Sequence, residues 1–127
     1  MIHPDIEAGR KGVRGTAATF ARFSAFKGSK LENLPAPLRD AARHLRQHYD
    51  MREHTRAGAA HTAGLSDEFV DWFAIVGPAE KALPRFRKLA ALGLDFCRVV
   101  PGSLDMPRDV AAASLINLAN EIVPAIR

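Results

Sequence analysis

From Phe73 to Val100 the chain reads FAIVGPAEKALPRFRKLAALGLDFCRVV, and the spacing of its apolar positions changes twice. FAIVG is a short unbroken apolar run. Ala79, Leu83, Phe86, Leu89 and Ala90 then recur at helical spacing, and LDFCRVV is apolar again. Gly77-Pro78 is a helix entry and Gly93 a residue just past a helix end. The stretch therefore predicts strand, helix, strand: one βαβ unit whose right-handed crossover makes the two strands parallel. Pro84 costs about 3 kcal/mol inside a helix, so the helix either starts nearer Pro84 or bends there.

The rest of the chain reads mostly as helix. Residues 1–15 hold three glycines and a proline and predict an irregular lead-in, or the tail of something that once preceded them. Thr16 caps a helix through AATFARFSAFK that Gly28 ends, with Ala17, Phe20 and Phe23 as a core stripe. NLPAP, residues 33–37, opens a second helix over 37–49 with Leu38, Ala41, Ala42, Leu45 and Tyr49 on one face. Residues 50–63 lose the periodicity and fit either a weak helix or a long loop. Ser66 caps a short helix DEFVDWF, with Asp67 and Glu68 where the helix dipole favours acids. Phe73 belongs either to that helix or to the following strand. Asp105 and Pro107 open a last helix that stops at Pro124.

Several helices and only two strands make a poor sheet with open edges. Two architectures meet that shortage: a mostly helical chain with a small sheet, or a piece of a larger α/β protein. The β-then-α order favours the second.

Composition narrows the setting. With 127 residues, 47% hydrophobic and 25% charged, the chain fits one globular domain. No apolar run approaches the roughly 20 residues of a membrane span, and MIHPDIEAGRK has no apolar leader region. The single cysteine, Cys97, fits a reducing compartment, so the expected location is the cytoplasm. The net charge of +4 is uneven: the first 60 residues carry the excess of Lys and Arg. Those cations are scattered, with no basic run longer than two, which favours a solvated surface over a nucleic-acid footprint.

Candidate chemistry is sparse. His44 and His48 share the i,i+4 spacing of helical zinc ligands, with Glu53 and His54 nearby, but Leu45 stands where a zincin has glutamate. Two histidines on the flank of a helix explain them better, and no metal is expected. His61, in a polar glycine-flanked segment, has a better claim to a pocket. Cys97 reads as a small buried filler, and Arg98 as a salt-bridged residue or an anion contact. The Gly77-Pro78-Ala79-Glu80 turn offers helix N-terminal N–H groups to an anion, although Glu80 can satisfy them. Gly77 and Ser103, in the loops that follow the two strands, are site candidates by location.

The order LSDEFVDWFAIVGPAEKALPRFRKLAALGLDFCRVV, then a helix ending in EIVPAIR, resembles the C-terminal third of the luciferase-like oxidoreductases. It is similar above all to the deazaflavin-dependent branch that includes methylenetetrahydromethanopterin reductase. The resemblance rests on Asp67–Phe73, on Gly77, Pro78 and Glu80, on Leu92-Gly93-Leu94-Asp95 and on Glu121–Arg127. Tyr49-Asp50, His54 and His61 extend it, so that it covers residues 35–127 behind a less defined lead-in, 1–34. Pro84 departs from the pattern.

The resemblance implies an α/β fold: a partial TIM barrel made of the last two parallel strands with their helices, behind a helix-rich N-terminal part. It implies hydride transfer between FMN or coenzyme F-420 and an organic substrate, monooxygenation included. Gly77 and Ser103 would border the cofactor, and Tyr49 and His61 the substrate. The implied partner is the remainder of the barrel or a second copy in a homo-oligomer, with neither nucleic acid nor membrane, and the isolated chain would be inactive. The competing expectation is a small helical interaction or regulatory protein without catalysis. A structure with 74–76 and 94–100 unpaired or helical would favour it.

Overall fold

The computed structural model describes residues 1–24 and 29–126, with the side chains of Ser29 and Lys30 left aside. Helix α1 spans Ile6–Phe23, followed by α2 (Ser29–Glu32), α3 (Ala36–His48), α4 (Asp67–Phe73), α5 (Ala79–Ala90) and α6 (Arg108–Asn117). Short 3-10 turns occupy Met51–Glu53 and Ala60–Thr62, and α6 widens into a π turn at Leu118–Ile122 before a last 3-10 turn at Val123–Ala125.

Three helices build the main core. Val13, Ala17, Ala18 and Ala21 of α1 meet Leu38, Ala41 and Leu45 of α3 and Phe69 and Val70 of α4. The apolar spacing of α3 and α4 dictates this, and Ser66 Oγ caps α4 by accepting from Phe69 N at 3.1 Å. A second cluster places Ala82 and Phe86 of α5 against Ile2 and Ile122. Arg85 ties the two together: its guanidinium donates to the carbonyls of Asp71 (2.7 Å), Ala74 (2.6 Å) and Trp72 (3.1 Å) at the end of α4. Arg10 of α1 grips Asp71 of α4 through Nε at 2.9 Å and Nη2 at 2.5 Å. Arg14 does the same to Asp67 and the Leu65 carbonyl.

The first ten residues of α1 correct the irregular lead-in expected for 1–15. Asp5 Oδ1 caps the helix, accepting from Glu7 N (2.9 Å) and Ala8 N (3.1 Å). Gly9, Gly12 and Gly15 are not breaks but a close-packing face. A Cβ on Gly9 would lie 2.8 Å from Val76, and one on Gly12 2.9 Å from both Met1 and Met106. A Cβ on Gly15 would run into the Arg56 carbonyl and the Ala57 amide. The helix ends at Phe23 with Ser24 as its C-cap, and the expected stop at Gly28 lies outside the described residues. Phe20 and Phe23, expected in the core, are exposed.

The α/β expectation is overturned. Among the described residues there is no sheet: one isolated parallel bridge joins Ile2 to Gly77. Around it the Met1 amine donates to Ile75 O (2.8 Å), Gly77 N to Met1 O (3.2 Å) and His3 N to Gly77 O (3.0 Å). The second expected strand, LDFCRVV, stays outside any ladder, and no hydrogen bond among the described residues reaches 94–101. Two short parallel segments gain too few bonds to hold one another, and here the first is bonded to the N-terminal residues instead. The partial TIM barrel is therefore not built; the molecule is helical.

Helix α5 runs from Ala79 through Pro84 without a break, so it does not start nearer Pro84. Packing of Ala82 and Phe86 outweighs the missing proline N–H. The last helix departs at its entry: Pro107 is the N-cap, and Asp105 instead binds a different loop.

Candidate functional site

Tyr49 and His61, both singled out by sequence, come together. Tyr49 ends α3, and the 3-10 turn Ala60–Thr62 carries His61 beneath it, with ring centroids 4.3 Å apart. His61 is 98% buried, being 2% exposed. Asp50 N donates to His61 Nδ1 at 3.4 Å, and His44 Nε2 donates to the His61 carbonyl at 2.9 Å. A ring whose Nδ1 accepts carries its proton on Nε2 when neutral. That Nε2 has no partner, and burial pushes the His61 pKa down, with His44 and His54 adding to it and Asp50 and Glu53 opposing.

The Tyr49 hydroxyl joins a short proton-ordered chain. It lies 2.7 Å from His54 Nδ1 and 2.8 Å from Thr19 Oγ1, which itself donates to Gly15 O at 3.0 Å. Since the Thr19 proton is committed to Gly15, each link has one proton only if Tyr49 donates to Thr19 and His54 to Tyr49. The chain ends on a backbone carbonyl. It locks the tyrosine in place rather than freeing it to exchange protons. Thr19 and Phe23, whose ring meets Tyr49 edge-on at 5.9 Å, belong to this cluster. Sequence reasoning missed them, because it read Phe23 as core and α1 as starting too late.

Gly77 and Ser103 are held by different partners. Gly77 has φ +122 and is bonded to Met1 and His3. Ser103 is buried against α1: its Oγ accepts from Gly15 N (3.0 Å) and Thr16 N (3.3 Å), while its own N–H donates to Gly12 O at 2.7 Å. Thr16 Oγ1 adds a bond to Gly102 O at 2.7 Å. Next to Ser103, Asp105 accepts from Ala57 N (2.7 Å) and Gly58 N (3.0 Å). Burial raises the pKa of this carboxyl, but the N–H groups of Gly58 and Ala57, its own N–H and the Arg56 charge together oppose it and the net shift is downward. The His44 and His48 rings lie tilted to one another with centroids 4.8 Å apart, and among the described residues no group of three His, Cys, Asp or Glu gathers to hold a metal.

The largest unexplained feature is the stretch after α5. Every residue from Ala91 to Val100 is exposed, among them Leu92 (67%), Leu94 (56%) and Phe96 (84%). Cys97, expected buried, is exposed and free. Asp95 and Arg98 are exposed, and neither has an ion-pair partner among the described residues. Apolar grooves lie on both sides. One, of about 250 Å³, is lined by Phe86, Leu89, Phe96, Leu118 and Ile122. The other, of about 300 Å³, is lined by Val13, Phe20, Phe73, Val99 and Val100. Among the described residues no helix is long and apolar enough to cross a membrane.

This defines a class: a small helical chain with an uncovered apolar segment whose backbone, from 94 to 100, makes no hydrogen bond among the described residues. No family model matches the chain, and no curated protein or solved structure matches it either. With no sheet among the described residues to build a barrel, the reading of the chain as a partial TIM barrel is withdrawn, and nothing in the comparisons supports the luciferase-like family that the resemblance suggested.

Proposed function

We propose that the chain is a small helical interaction protein that holds a protein partner through Leu92–Val100, with no reaction of its own. The observation that carries the reading is that segment: consecutive exposed residues, rich in large apolar side chains, with no hydrogen bond at 94–101. Contiguous apolar surface of this kind marks interaction sites, and unpaired backbone groups are a template for pairing with another chain. Exposed, unpaired Cys97 suits a reducing compartment, so the cytoplasm is part of the proposal. The test is the native size of the chain in an extract of the cells that make it. Migration above the 13.8 kDa of one chain, lost in a Phe96→Asp/Val99→Asp variant that keeps its helical circular dichroism, supports the reading. Migration of the parent as a single chain overturns it.

A second proposal keeps the activity that the resemblance implies: the chain as one part of an assembly transferring hydride between FMN or coenzyme F-420 and an organic substrate. The sequence order from Asp67 to Asp95 supports it, as does the need of Leu92–Val100 for a covering chain. Fluorescence titration of the extract complex with each coenzyme tests it. Saturable uptake of one supports the proposal, and uptake of neither removes it.

A further inference from the structure

We infer that the groove between α1 and Val99–Val100 binds a free fatty acid, its acyl tail on the apolar lining and its carboxylate at Arg98. The groove holds about 300 Å³, the size of a small-molecule site. Its lining joins Val13, Ala17 and Phe20 of α1 to Phe73 at the end of α4 and to Val99 and Val100. Among the described residues Arg98 is the one charged side chain on that lining, and no acid stands there to neutralise it. Arg98 is exposed and makes neither an ion pair nor a hydrogen bond among the described residues. Met1 also lines the groove, but its amine donates to Ile75 O at 2.8 Å. Thr16 likewise commits its hydroxyl to Gly102 O at 2.7 Å.

One cation on an otherwise uncharged groove complements a small molecule with a single anionic head on an apolar tail. The tail supplies the affinity, each buried CH₂ tightening binding about fourfold. The exposed pair with Arg98 contributes less and sets the direction in which the ligand lies. A second groove of about 250 Å³ shares Phe86, Leu89, Cys97 and Val99 with the first, so a longer tail has apolar surface adjoining it. A bilayer is met by several cations spread over an amphipathic face. One Arg beside a groove suits a single head group instead. This ligand is independent of the protein partner proposed for Leu92–Val100, since Phe96, the most exposed apolar residue of that segment, does not line the groove.

Isothermal titration calorimetry of the purified full chain with decanoate, decanol and decyltrimethylammonium, each below its micelle concentration or solubility limit, tests the site. Decanoate is expected to bind one to one, and octanoate about tenfold more weakly. Arg98→Glu is expected to weaken decanoate about fivefold or more, to leave decanol within about twofold and to improve decyltrimethylammonium. Phe20→Ser, at an exposed position of the lining, is expected to weaken decanoate and decanol alike. Far-UV circular dichroism establishes that both variants are folded. A parent that takes up no decanoate overturns the proposal, as does an Arg98→Glu chain that binds decanoate as tightly as the parent. An unchanged affinity in Phe20→Ser moves the tail out of this groove and overturns it as well. So does a chain that sediments with phosphatidylglycerol vesicles yet takes up no free decanoate, which would make a membrane surface the source of the head group.

Discussion

The Tyr49 ring covers the buried His61 imidazole, centroids 4.3 Å apart and planes inclined by 34°. The imidazole Nδ1 accepts from the Asp50 amide, and its Nε2 is enclosed without a partner. A protonated His61 would have to place a charge in that enclosure.

Stability should therefore fall on the acid side. Burial holds the folded-state pKa of His61 below its usual value, while the unfolded chain takes up the proton near 6.5. The unfolded state then binds more protons, so stability drops as pH falls through about 6.5 and levels off below the folded value. The Met1 amine, lowered from 8.0 to about 6 by burial, acts in the same sense between those two pH values. Urea melts of the parent and of His61→Phe separate the two. Their difference should be flat above about pH 7.5 and should narrow towards pH 5. A difference independent of pH would show that His61 takes up its proton at the same pH in the folded and unfolded states.

Gly15→Ala should destabilise the fold although alanine is the better helix former. The helix gain is about 1 kcal/mol, but the new methyl meets the Arg56 and Ala57 backbone, and overpacking costs about 1–3 kcal/mol. A net loss of up to about 2 kcal/mol in denaturant melts is expected. A stabilised variant would mean that the 55–58 loop can retreat freely from α1.

Ser103→Ala should lose about 1–3 kcal/mol, because the hydroxyl is buried and accepts from two α1 amides. Chemical denaturation measures it, and a loss under 0.5 kcal/mol, roughly the scale of a surface change, would remove Ser103 from the framework.

Phe96→Ser should leave the stability of a single chain within about 0.5 kcal/mol of the parent, since the ring is 84% exposed. The same substitution should reduce association. A large stability loss at a concentration where the parent is not associated would place the ring inside the fold.

Much of the helical layout was legible because its signals are local. Ser66 followed by an acidic turn placed α4 at Asp67–Phe73, and the apolar face of 37–49 placed α3 within a residue of Ala36–His48. Helix α1 was half lost. Glycines at 9, 12 and 15 look like breaks in one dimension, and only the approach of 56–57, 76 and 106 gives them a purpose. The strands failed for a related reason. FAIVG and LDFCRVV have strand composition, but a strand exists only with a partner, and pairing is non-local. Of the candidate residues, Tyr49 and His61 are adjacent in space, whereas Gly77 and Ser103 hold separate segments to the N-terminal residues and to α1.

The glycine face of α1 also bears on the order of assembly. Three interior glycines take about 3 kcal/mol from the helix relative to alanine, and, besides Met1, the groups that lean on them come from Val76, Met106 and the Arg56–Ala57 peptide, many residues away. Such a helix has little reason to exist before its distant neighbours arrive. A peptide of residues 6–23 is expected to be a coil in water by circular dichroism, and a helical one would contradict this. A nascent chain would then keep α1 unformed until residues beyond 100 had been made, so a segment synthesised early would be among the last to settle.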